Sequence, residues 1–131
     1  MSLRALAFEG NLFAITLVSD DLEASANFYG GLLGLALVYE DDNSAIYKCG
    51  ETMINLLKAH EAVELAAPDS VGSNSGVRAV YTLRFADIDA LAADLVKANV
   101  PILSGPIDRP WGVRTLSIQD PSGHTWEFAN H

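Results

Sequence analysis

The chain has 131 residues, half of them apolar, and a formal net charge of −9. This length suffices for one domain with a buried core. The Lys and Arg residues are scattered, which argues against binding to a nucleic-acid backbone. The sequence has neither a long apolar run nor a leader with a cleavage site, and its single cysteine fits a reducing compartment. We expect a cytoplasmic protein that binds neither nucleic acid nor membranes.

The first half of the chain predicts a strand, a helix and three further strands. Residues 11–18 are rich in β-branched and aromatic side chains, and Asp21 then offers an oxygen that can cap a helix. Apolar residues recur from Leu22 to Leu33 at spacings of four, three and four, which predicts a helix with one apolar face. Turn-forming residues separate three strands predicted at residues 35–40, 45–49 and 52–58.

The second half repeats this pattern. Residues 77–85 predict a strand, Asp87 caps a helix with one apolar face, and Asn99 ends that helix before a short strand at 100–103. The caps Asp21 and Asp87 are 66 positions apart. A spacing of this kind indicates two packed copies of one module.

A strand, a turn and a strand close the chain. Residues 120–123 (DPSG) separate two segments of alternating apolar residues, and they have the composition of a tight turn. Because neighbours in a strand point to opposite faces of a sheet, Glu127 projects opposite Trp126 and Phe128. The role of Glu127 therefore depends on whether its face is covered.

These elements predict an α+β fold of two βαβββ modules in a single domain, 1–131. Module 1 is expected at about 8–60, an irregular connector at about 61–76 and module 2 at about 77–131. Each helix covers one face of a small sheet, and the other face is still partly apolar. Side-by-side modules would form a curved mixed sheet around a cleft, and a second chain would cover the remaining apolar surface. We expect a homodimer, paired either side by side or by exchange of modules.

The sequence resembles a known family in both halves. Residues 18–29 (VSDDLEASANFY) and 33–35 (LGL) resemble the first-module signature of the vicinal oxygen chelate superfamily, which groups glyoxalase I, bleomycin-resistance proteins and extradiol dioxygenases. Residues 110–114 (PWGVR) and 120–128 (DPSGHTWEF) are similar to the last hairpin of that superfamily. The resemblance implies the fold, but one fold can carry unrelated chemistries.

In the metal-dependent relatives, the first strand of each module contributes His or Gln and the last strand contributes Glu. The resemblance places Ala14 and Val80 at the first-strand positions, and neither side chain binds metal. It places Asn55, or Ile54 if the register slips by one, and Glu127 at the last-strand positions. A catalytic divalent ion usually has about three protein ligands. We therefore expect no cofactor; the alternative is a divalent metal held by Glu127, with further ligands from a partner chain.

Strand alternation predicts which residues line the cleft. The cleft-facing positions are Ala14, Thr16, Val18, Met53, Asn55, Leu57, Val80, Thr82, Arg84, Thr125 and Glu127. A mostly apolar lining with a few polar groups is typical of a small-molecule site. We expect ligand contacts from Thr16, Asn55, Thr82, Arg84 and Glu127, with Tyr47 and Trp111 as aromatic walls. Glu127 is expected to pair with Arg84, to bind a cationic group or to be protonated. For Tyr47 and Trp111, packing in the core or in a dimer interface is the alternative.

Two functions follow from the resemblance and the residues. The first is a metal-independent protein that sequesters an aromatic or cationic small molecule, similar to bleomycin-resistance proteins. The second is a glyoxalase-like lyase, isomerase or dioxygenase that uses a divalent metal, or Glu127 as the catalytic base. The first is preferred because the fold signature is intact while the set of metal ligands is incomplete.

Overall fold

A computed structural model describes residues 9–130 of the chain. The two ends of the predicted domain, 1–8 and 131, lie outside the described residues. The chain divides into two compact units between Val71 and Gly72, and each unit contains one four-stranded sheet.

Unit 1 has the predicted order of strand, helix and three strands. Its elements are β1 (Ala14–Ser19), α1 (Leu22–Ala26), a π-helical segment (Asn27–Leu32), β2 (Ala36–Glu40), β3 (Ser44–Cys49), β4 (Thr52–Lys58) and α2 (Ala59–Ala66). The strand order in the sheet is β1-β4-β3-β2. β1 is parallel to β4, and the other pairs are antiparallel. The first and last strands of the βαβββ module are therefore direct neighbours.

The core of unit 1 lies between its helical segment and one face of the sheet. Asp21 has an extended backbone, and its side chain accepts a hydrogen bond of 3.1 Å from the backbone N–H of Ala24, so it caps α1 as predicted. Tyr29 is fully buried and contacts Phe28 edge to face, while Ile54 is buried on β4. The helix is thus fixed both by its cap and by its aromatic residues.

Unit 2 repeats the module. Its elements are β5 (Val80–Arg84), α3 (Ile88–Lys97), β6 (Ser104–Asp108), β7 (Arg114–Gln119) and β8 (Thr125–Ala129). The strand order is β5-β8-β7-β6, with β5 parallel to β8. Asp87 caps α3 by accepting from the backbone N–H of Ala90 at 3.0 Å. The predicted fold class, α+β with two βαβββ modules and mixed sheets, is confirmed.

The core of unit 2 is built from alternate residues of its central strands. Ile118 on β7 and the pair Trp126 and Phe128 on β8 are all buried. Two residues of α3 are buried as well: Ile88 in its first turn and Leu95 in its last turn. Because Trp126 and Phe128 point into the core, Glu127 between them lies on the opposite face, and it is the one residue of β8 that is not buried.

Two predicted segments differ in the structure. The connector was expected to be irregular, but α2 occupies Ala59–Ala66. Apolar residues recur at helical spacing at positions 59, 62, 63 and 66, but three of these four are alanine, and only Ala62 of this helix is buried. The strand expected at 100–103 begins instead at Ser104. The amide of Val100 still bonds to Leu95 of the helix, and the proline that follows has no N–H for a sheet.

Among the described residues, no helix has both the length and the apolar character needed to cross a membrane.

Candidate functional site

The first and last strands of each unit bring one threonine next to one larger polar residue. In unit 1, Thr16 of β1 is paired with Asn55 of β4. In unit 2, Thr82 of β5 is paired with Glu127 of β8. Paired residues of neighbouring strands project from the same face of a sheet. The register therefore places four of the predicted ligand contacts in two matching pairs.

The pair in unit 2 is a hydrogen-bonded carboxylate. The Thr82 hydroxyl donates to Glu127 Oε1 at 3.0 Å. Thr82 is exposed and Glu127 is half-buried. The residues that the structure describes give Glu127 no other hydrogen bond, so its second oxygen is free to accept one. Thr82 thus orients the carboxylate and leaves one acceptor for a ligand.

A residue that the sequence analysis missed lies on the other side of Glu127. Ser117 of β7 is directly opposite Glu127 in the antiparallel pair, so its side chain shares the same face. Two hydroxyl-bearing residues, Thr82 and Ser117, consequently flank one carboxylate. The alternation of β7 could have indicated Ser117, but only once its register with β8 was known.

In the unit 1 pair, the threonine accepts the hydrogen bond instead of donating it. The side-chain amide of Asn55 donates from Nδ2 to the Thr16 hydroxyl oxygen at 3.3 Å. Asn55 Oδ1 is buried and has no hydrogen-bond partner among the described residues. Leaving a buried polar atom unpaired costs about 1–3 kcal/mol. Asn55 Oδ1 is therefore an unpaired acceptor beneath the face of unit 1, and a donor could reach it only after the Asn55 side chain rotates.

A second missed residue, Lys48, lies on the same face as Asn55. Lys48 of β3 is opposite Met53, which is two residues before Asn55 on β4. An open cleft of about 360 Å³ in unit 1 is lined by Lys48 and Met53 together with Phe13 and Glu51. Phe13 is 76% exposed. Unit 1 thus combines an aromatic ring, a thioether and charged groups at one end of its sheet.

The predicted ion pair between Glu127 and Arg84 is not formed. Ion pairs within residues 9–130 involve His60 with Glu61 and Arg114 with two aspartates. Arg84 is two positions beyond Thr82 and is paired with Ala129, so it is displaced by roughly 6–7 Å along the strand from Glu127. The partner of Glu127 is the Thr82 hydroxyl instead.

The structure also corrects the predicted position of Tyr47. This residue is opposite Ile54 on β4, and both side chains are buried on the face that contacts the helical segment. Its hydroxyl donates to the carbonyl oxygen of Ala26 at 3.4 Å. Burial, and to a lesser degree the charge of Glu40, raises the pKa of the Tyr47 phenol. Tyr47 is therefore a core residue of unit 1, which is the alternative that the sequence analysis gave to a role as an aromatic wall.

Trp111, the other predicted aromatic wall, lies in the turn before β7 and is 72% exposed. The guanidinium carbon of Arg109 is 6.0 Å from the centre of its ring, and Arg109 Nε donates to the Thr115 hydroxyl at 3.0 Å. Arg109 therefore links the exposed ring to the start of β7. A ligand role for Trp111 stays a prediction.

The residues of each unit, taken by themselves, do not fit a catalytic divalent ion. Ala14 is paired with Met53, and Val80 is paired with Thr125, so the expected first-strand ligand positions carry aliphatic side chains. Between residues 9 and 130, no three His, Cys, Asp or Glu side chains are grouped as a metal site would need. Glu127 in unit 2 and Asn55 in unit 1 are single donors. Metal independence stays a prediction.

Comparison with solved structures finds the same fold in bacterial proteins. The chain is similar to a glyoxalase-related enzyme from Fulvimarina pelagi (25% identity, 92% and 87% of the two chains covered, TM-score 0.79). It is also similar to a glyoxalase/bleomycin resistance protein/dioxygenase from Nocardioides (23%, 97% and 88%, 0.78) and to lactoylglutathione lyase from Agrobacterium tumefaciens (22%, 92% and 92%, 0.75). The comparison with curated proteins found no match.

A sequence model of one family agrees with these structural likenesses. It is described as the Glyoxalase/Bleomycin resistance protein/Dioxygenase superfamily, and it matches residues 11–128, which include all the strands of both units except the last residue of β8. The predicted family is confirmed: the chain belongs to the Glyoxalase/Bleomycin resistance protein/Dioxygenase superfamily.

Proposed function

We propose that this protein binds and sequesters an aromatic or cationic small molecule without a metal ion, and that Glu127 is its charged contact. The observation that carries the proposal is the Thr82–Glu127 hydrogen bond beside the aliphatic residue Val80. The bond orients a carboxylate that has one oxygen free. Val80 occupies the position where metal-dependent relatives carry a ligand, and its side chain has no atom that can bind a metal.

The chemistry of this carboxylate favours a cation. A charge-assisted hydrogen bond to a carboxylate is roughly twice as strong as a neutral one. Glu127 is half-buried, so a cationic group beside it would be partly shielded from water. Among the described residues, no Lys or Arg forms an ion pair with Glu127 that a ligand would have to displace.

Exposed aromatic rings support an aromatic ligand. Phe13 in unit 1 and Trp111 in unit 2 are both mostly exposed. An aromatic ring offers a large apolar surface and prefers offset or edge-to-face stacking with another ring. Asn55 of unit 1 stays a proposed ligand contact through its side-chain amide. Thr16 and Arg84 are the remaining proposed contacts.

The test uses three probes of similar shape and different charge: N-methylquinolinium, 1-methylnaphthalene and 1-naphthoate. The protein is first treated with EDTA, and binding is followed by tryptophan fluorescence. Trp126 is buried whereas Trp111 is exposed, so a Trp111→Phe variant identifies the responding ring. We expect N-methylquinolinium to bind most tightly and 1-naphthoate most weakly.

A matched pair of variants tests the role of Glu127. Glu127→Gln keeps an oxygen that accepts from Thr82 but removes the charge, and we expect it to weaken N-methylquinolinium about tenfold. Glu23→Gln removes an exposed charge on α1 and should have no comparable effect. Binding that requires added zinc or manganese, or that ignores the charge of the probe, would contradict the proposal.

A glyoxalase-like lyase, isomerase or dioxygenase is the second candidate. It is favoured by the free oxygen of Glu127, which a catalytic base or metal ligand would need, and by the likeness to the protein called lactoylglutathione lyase. Arg84 or Asn55 would then stabilise the developing oxyanion. Elemental analysis of protein purified without a metal-affinity tag separates the two functions, because a near-stoichiometric transition metal would support the second.

We also propose that the protein is a homodimer. Leu37, Val38 and Tyr39 are all about half exposed on β2, the edge strand of its sheet. An edge strand with apolar side chains is a surface that proteins usually cover. Light scattering after size exclusion should give the mass of two chains, and the mass of one chain at micromolar concentration would contradict the dimer.

The cytoplasmic location is proposed on the chemistry of the single cysteine. Cys49 is the chain's single cysteine and is free, so it forms no internal disulfide, which fits a reducing compartment. Cell fractionation would test the location directly.

A further inference from the structure

Unit 2 contains a second cavity that the proposed ligand contacts do not use. It has a volume of about 230 Å³ and lies between the segment that precedes β5 and the turn between β7 and β8. The residues of the first segment include Ser73, Ser75 and Arg78, and those of the strands and turn include Tyr81, Gly123 and Thr125. The cavity is formed entirely within unit 2.

The lining is rich in hydrogen-bond donors and carries no carboxylate. It contains hydroxyl groups from serine, threonine and tyrosine residues, together with the guanidinium of Arg78. The chain as a whole has 17 acidic and 8 basic residues. No described residue forms an ion pair with Arg78. The exposed side chain of Arg78 therefore supplies a positive charge that attracts an anion, while the buried carboxylate of Asp120 lies outside the lining but acts on Tyr81.

Two close approaches give the cavity a defined wall. Gly123 has φ +89°, and a Cβ built there would lie 2.8 Å from the carbonyl oxygen of Asn74. Only glycine fits both the backbone conformation and this contact. The hydroxyl groups of Ser73 and Ser75 lie 2.8 Å apart and are hydrogen-bonded. The segment before β5 is thus packed against the hairpin turn and presents its hydroxyl groups in a fixed arrangement.

Tyr81 keeps its proton at neutral pH. Burial, and secondarily the charge of Asp120, raises the pKa of its phenol above the ordinary value. A protonated phenol is a hydrogen-bond donor. Thr125 accepts a long hydrogen bond of 3.5 Å from Gln119, which leaves its own hydroxyl proton available to a ligand.

We propose that this cavity binds a phosphoryl group, either as free phosphate or as the phosphate of a small monoester. A tetrahedral oxyanion offers three or four acceptor oxygens, which matches donors that come from several directions, whereas a carboxylate offers two in one plane. The volume is below the roughly 300–1,000 Å³ of pockets for drug-sized ligands, so the bound group is small. Arg78 supplies the charge that makes the contact selective for an anion.

The experiment is a ¹⁵N–¹H NMR titration of the whole chain with three probes: inorganic phosphate, glycerol 3-phosphate and acetate. We expect phosphate or glycerol 3-phosphate to shift amide signals in residues 73–81 and 122–125. A preference for the ester would identify a phosphorylated molecule as the source of the group, and a preference for phosphate would identify the free ion. Equal shifts with acetate, or shifts spread over both units, would overturn the proposal.

Two variants that each remove one positive charge distinguish binding at a specific site from an effect of the protein's net charge. Arg78→Gln should weaken phosphate binding about tenfold or more, because hydrogen bonds to charged groups are the strong ones. Lys97→Gln removes one positive charge from the end of α3 and should change binding less than about twofold. Equal weakening by the two substitutions would show an effect of net charge alone and would refute the site.

A second substitution approaches the cavity from another residue. Ser75→Asp places a negative charge in the lining at a position that is exposed and outside any helix or strand, so the fold should be retained. We expect it to abolish the phosphate-induced shifts through like-charge repulsion. Retained binding in Ser75→Asp, with an unchanged circular dichroism spectrum, would overturn the assignment.

Discussion

In both units the first and last strands pair in the same register, but the hydrogen bond between the paired side chains runs in opposite directions. In unit 1, the threonine of the first strand accepts a hydrogen bond from Asn55, whereas in unit 2 its counterpart donates one to Glu127. A hydroxyl can do either, so threonine is compatible with both partners. The repeated module therefore conserves the position of a side chain, while the residue across from it sets the chemistry.

The difference also concerns what each unit leaves unpaired. Unit 1 has a buried amide oxygen without a partner, and unit 2 has a carboxylate oxygen free to accept. Both are acceptors, but only Glu127 carries a charge. A cationic group would therefore be attracted to unit 2, and a neutral donor suffices for Asn55. Four predictions test how far the equivalence of the units extends, and they follow in order of expected effect.

Glycine substitutions should have the largest effect and should differ between the units. Both Gly34 and Gly105 have positive φ, but a Cβ at Gly105 would lie 2.4 Å from the carbonyl oxygen of Thr115, whereas a Cβ at Gly34 would meet no atom within 4 Å. Gly105→Ala should lower the free energy of unfolding by about 3–5 kcal/mol, because backbone strain and a clash with the backbone combine. Urea unfolding measures it.

Gly34→Ala is the matched control for that measurement. It carries the strain of a positive φ without the clash, and we expect a loss of about 1 kcal/mol. Equal losses for the two variants would mean that the close approach at Gly105 relaxes without cost.

The turn aspartates come next. Asp120 is buried, and its Oδ1 accepts from the backbone N–H groups of Ser122 and His124, both at 2.9 Å. Asp120→Ala leaves these donors without that acceptor and should destabilise the protein by about 2–3 kcal/mol. Asp120→Asn keeps an acceptor oxygen and should cost less than half as much. Urea unfolding of both variants distinguishes the lost acceptor from the lost charge.

A turn aspartate of unit 1, which lies between β2 and β3 rather than between the last two strands, provides the comparison. Asp41 Oδ1 also accepts from two backbone N–H groups, those of Asn43 and Ser44, both at 2.8 Å. Asp41 is exposed, so water can replace its oxygen in Asp41→Ala. That variant should be clearly less destabilised than Asp120→Ala, and the reverse order would contradict the role assigned to burial.

The threonine pairs should show a smaller difference. Thr82→Val removes the donor to the Glu127 carboxylate, and Thr16→Val removes the acceptor for the Asn55 amide. Valine has a similar shape, so the change is mainly in the hydrogen bond. We expect a loss of about 1 kcal/mol for Thr82→Val and about half of that for Thr16→Val, because bonds to charged groups are stronger. A double-mutant cycle with Glu127→Gln would isolate the coupling in unit 2.

The smallest expected effect is a pH dependence in unit 1. The backbone N–H of Asn43, followed by the Tyr39 and Ser44 hydroxyl groups, lowers the pKa of Asp41 below 3.8. A lowered pKa in the folded state stabilises the fold above the unfolded-state pKa, and this contribution is lost as the pH falls through the folded pKa. Wild-type protein should therefore lose slightly more stability than Asp41→Asn on acidification from neutral pH to below 3.8. Urea unfolding at both pH values measures it; an equal loss in the two proteins would rule out this contribution.

Local features of the fold were predictable from the sequence. Asp21 and Asp87 cap helices as expected, because a cap depends on bonds within four residues. The Asp-Pro-Ser-Gly turn and the two strands of the last hairpin lie where the pattern placed them. By contrast, α2 was missed although residues 59, 62, 63 and 66 are apolar at helical spacing, because the pattern spans only about two turns and consists mainly of alanine.

The site was predictable only in part. Alternation along β1, β4, β5 and β8 predicted that Thr16, Asn55, Thr82 and Glu127 project from the cleft side of their strands, but the pairs Thr16–Asn55 and Thr82–Glu127 came only from the register in the structure. For Tyr47 the sequence left a wall of the cleft and packing in the core as alternatives, since the orientation of β3 depends on its register with β4 and a shift of one residue exchanges the two faces. Lys48 and Ser117 were missed for the same reason.

The sequence by itself determined the repeated βαβββ order, the helix caps, the hairpin turn and the aliphatic residues Ala14 and Val80, because each depends on residue type or on neighbours along the chain. Only the tertiary structure decided that Glu127 bonds to Thr82 rather than to Arg84, and that Asn55 retains an unpaired oxygen. Such contacts join residues about 40 positions apart, and the lateral register of whole strands, rather than any local preference, sets them.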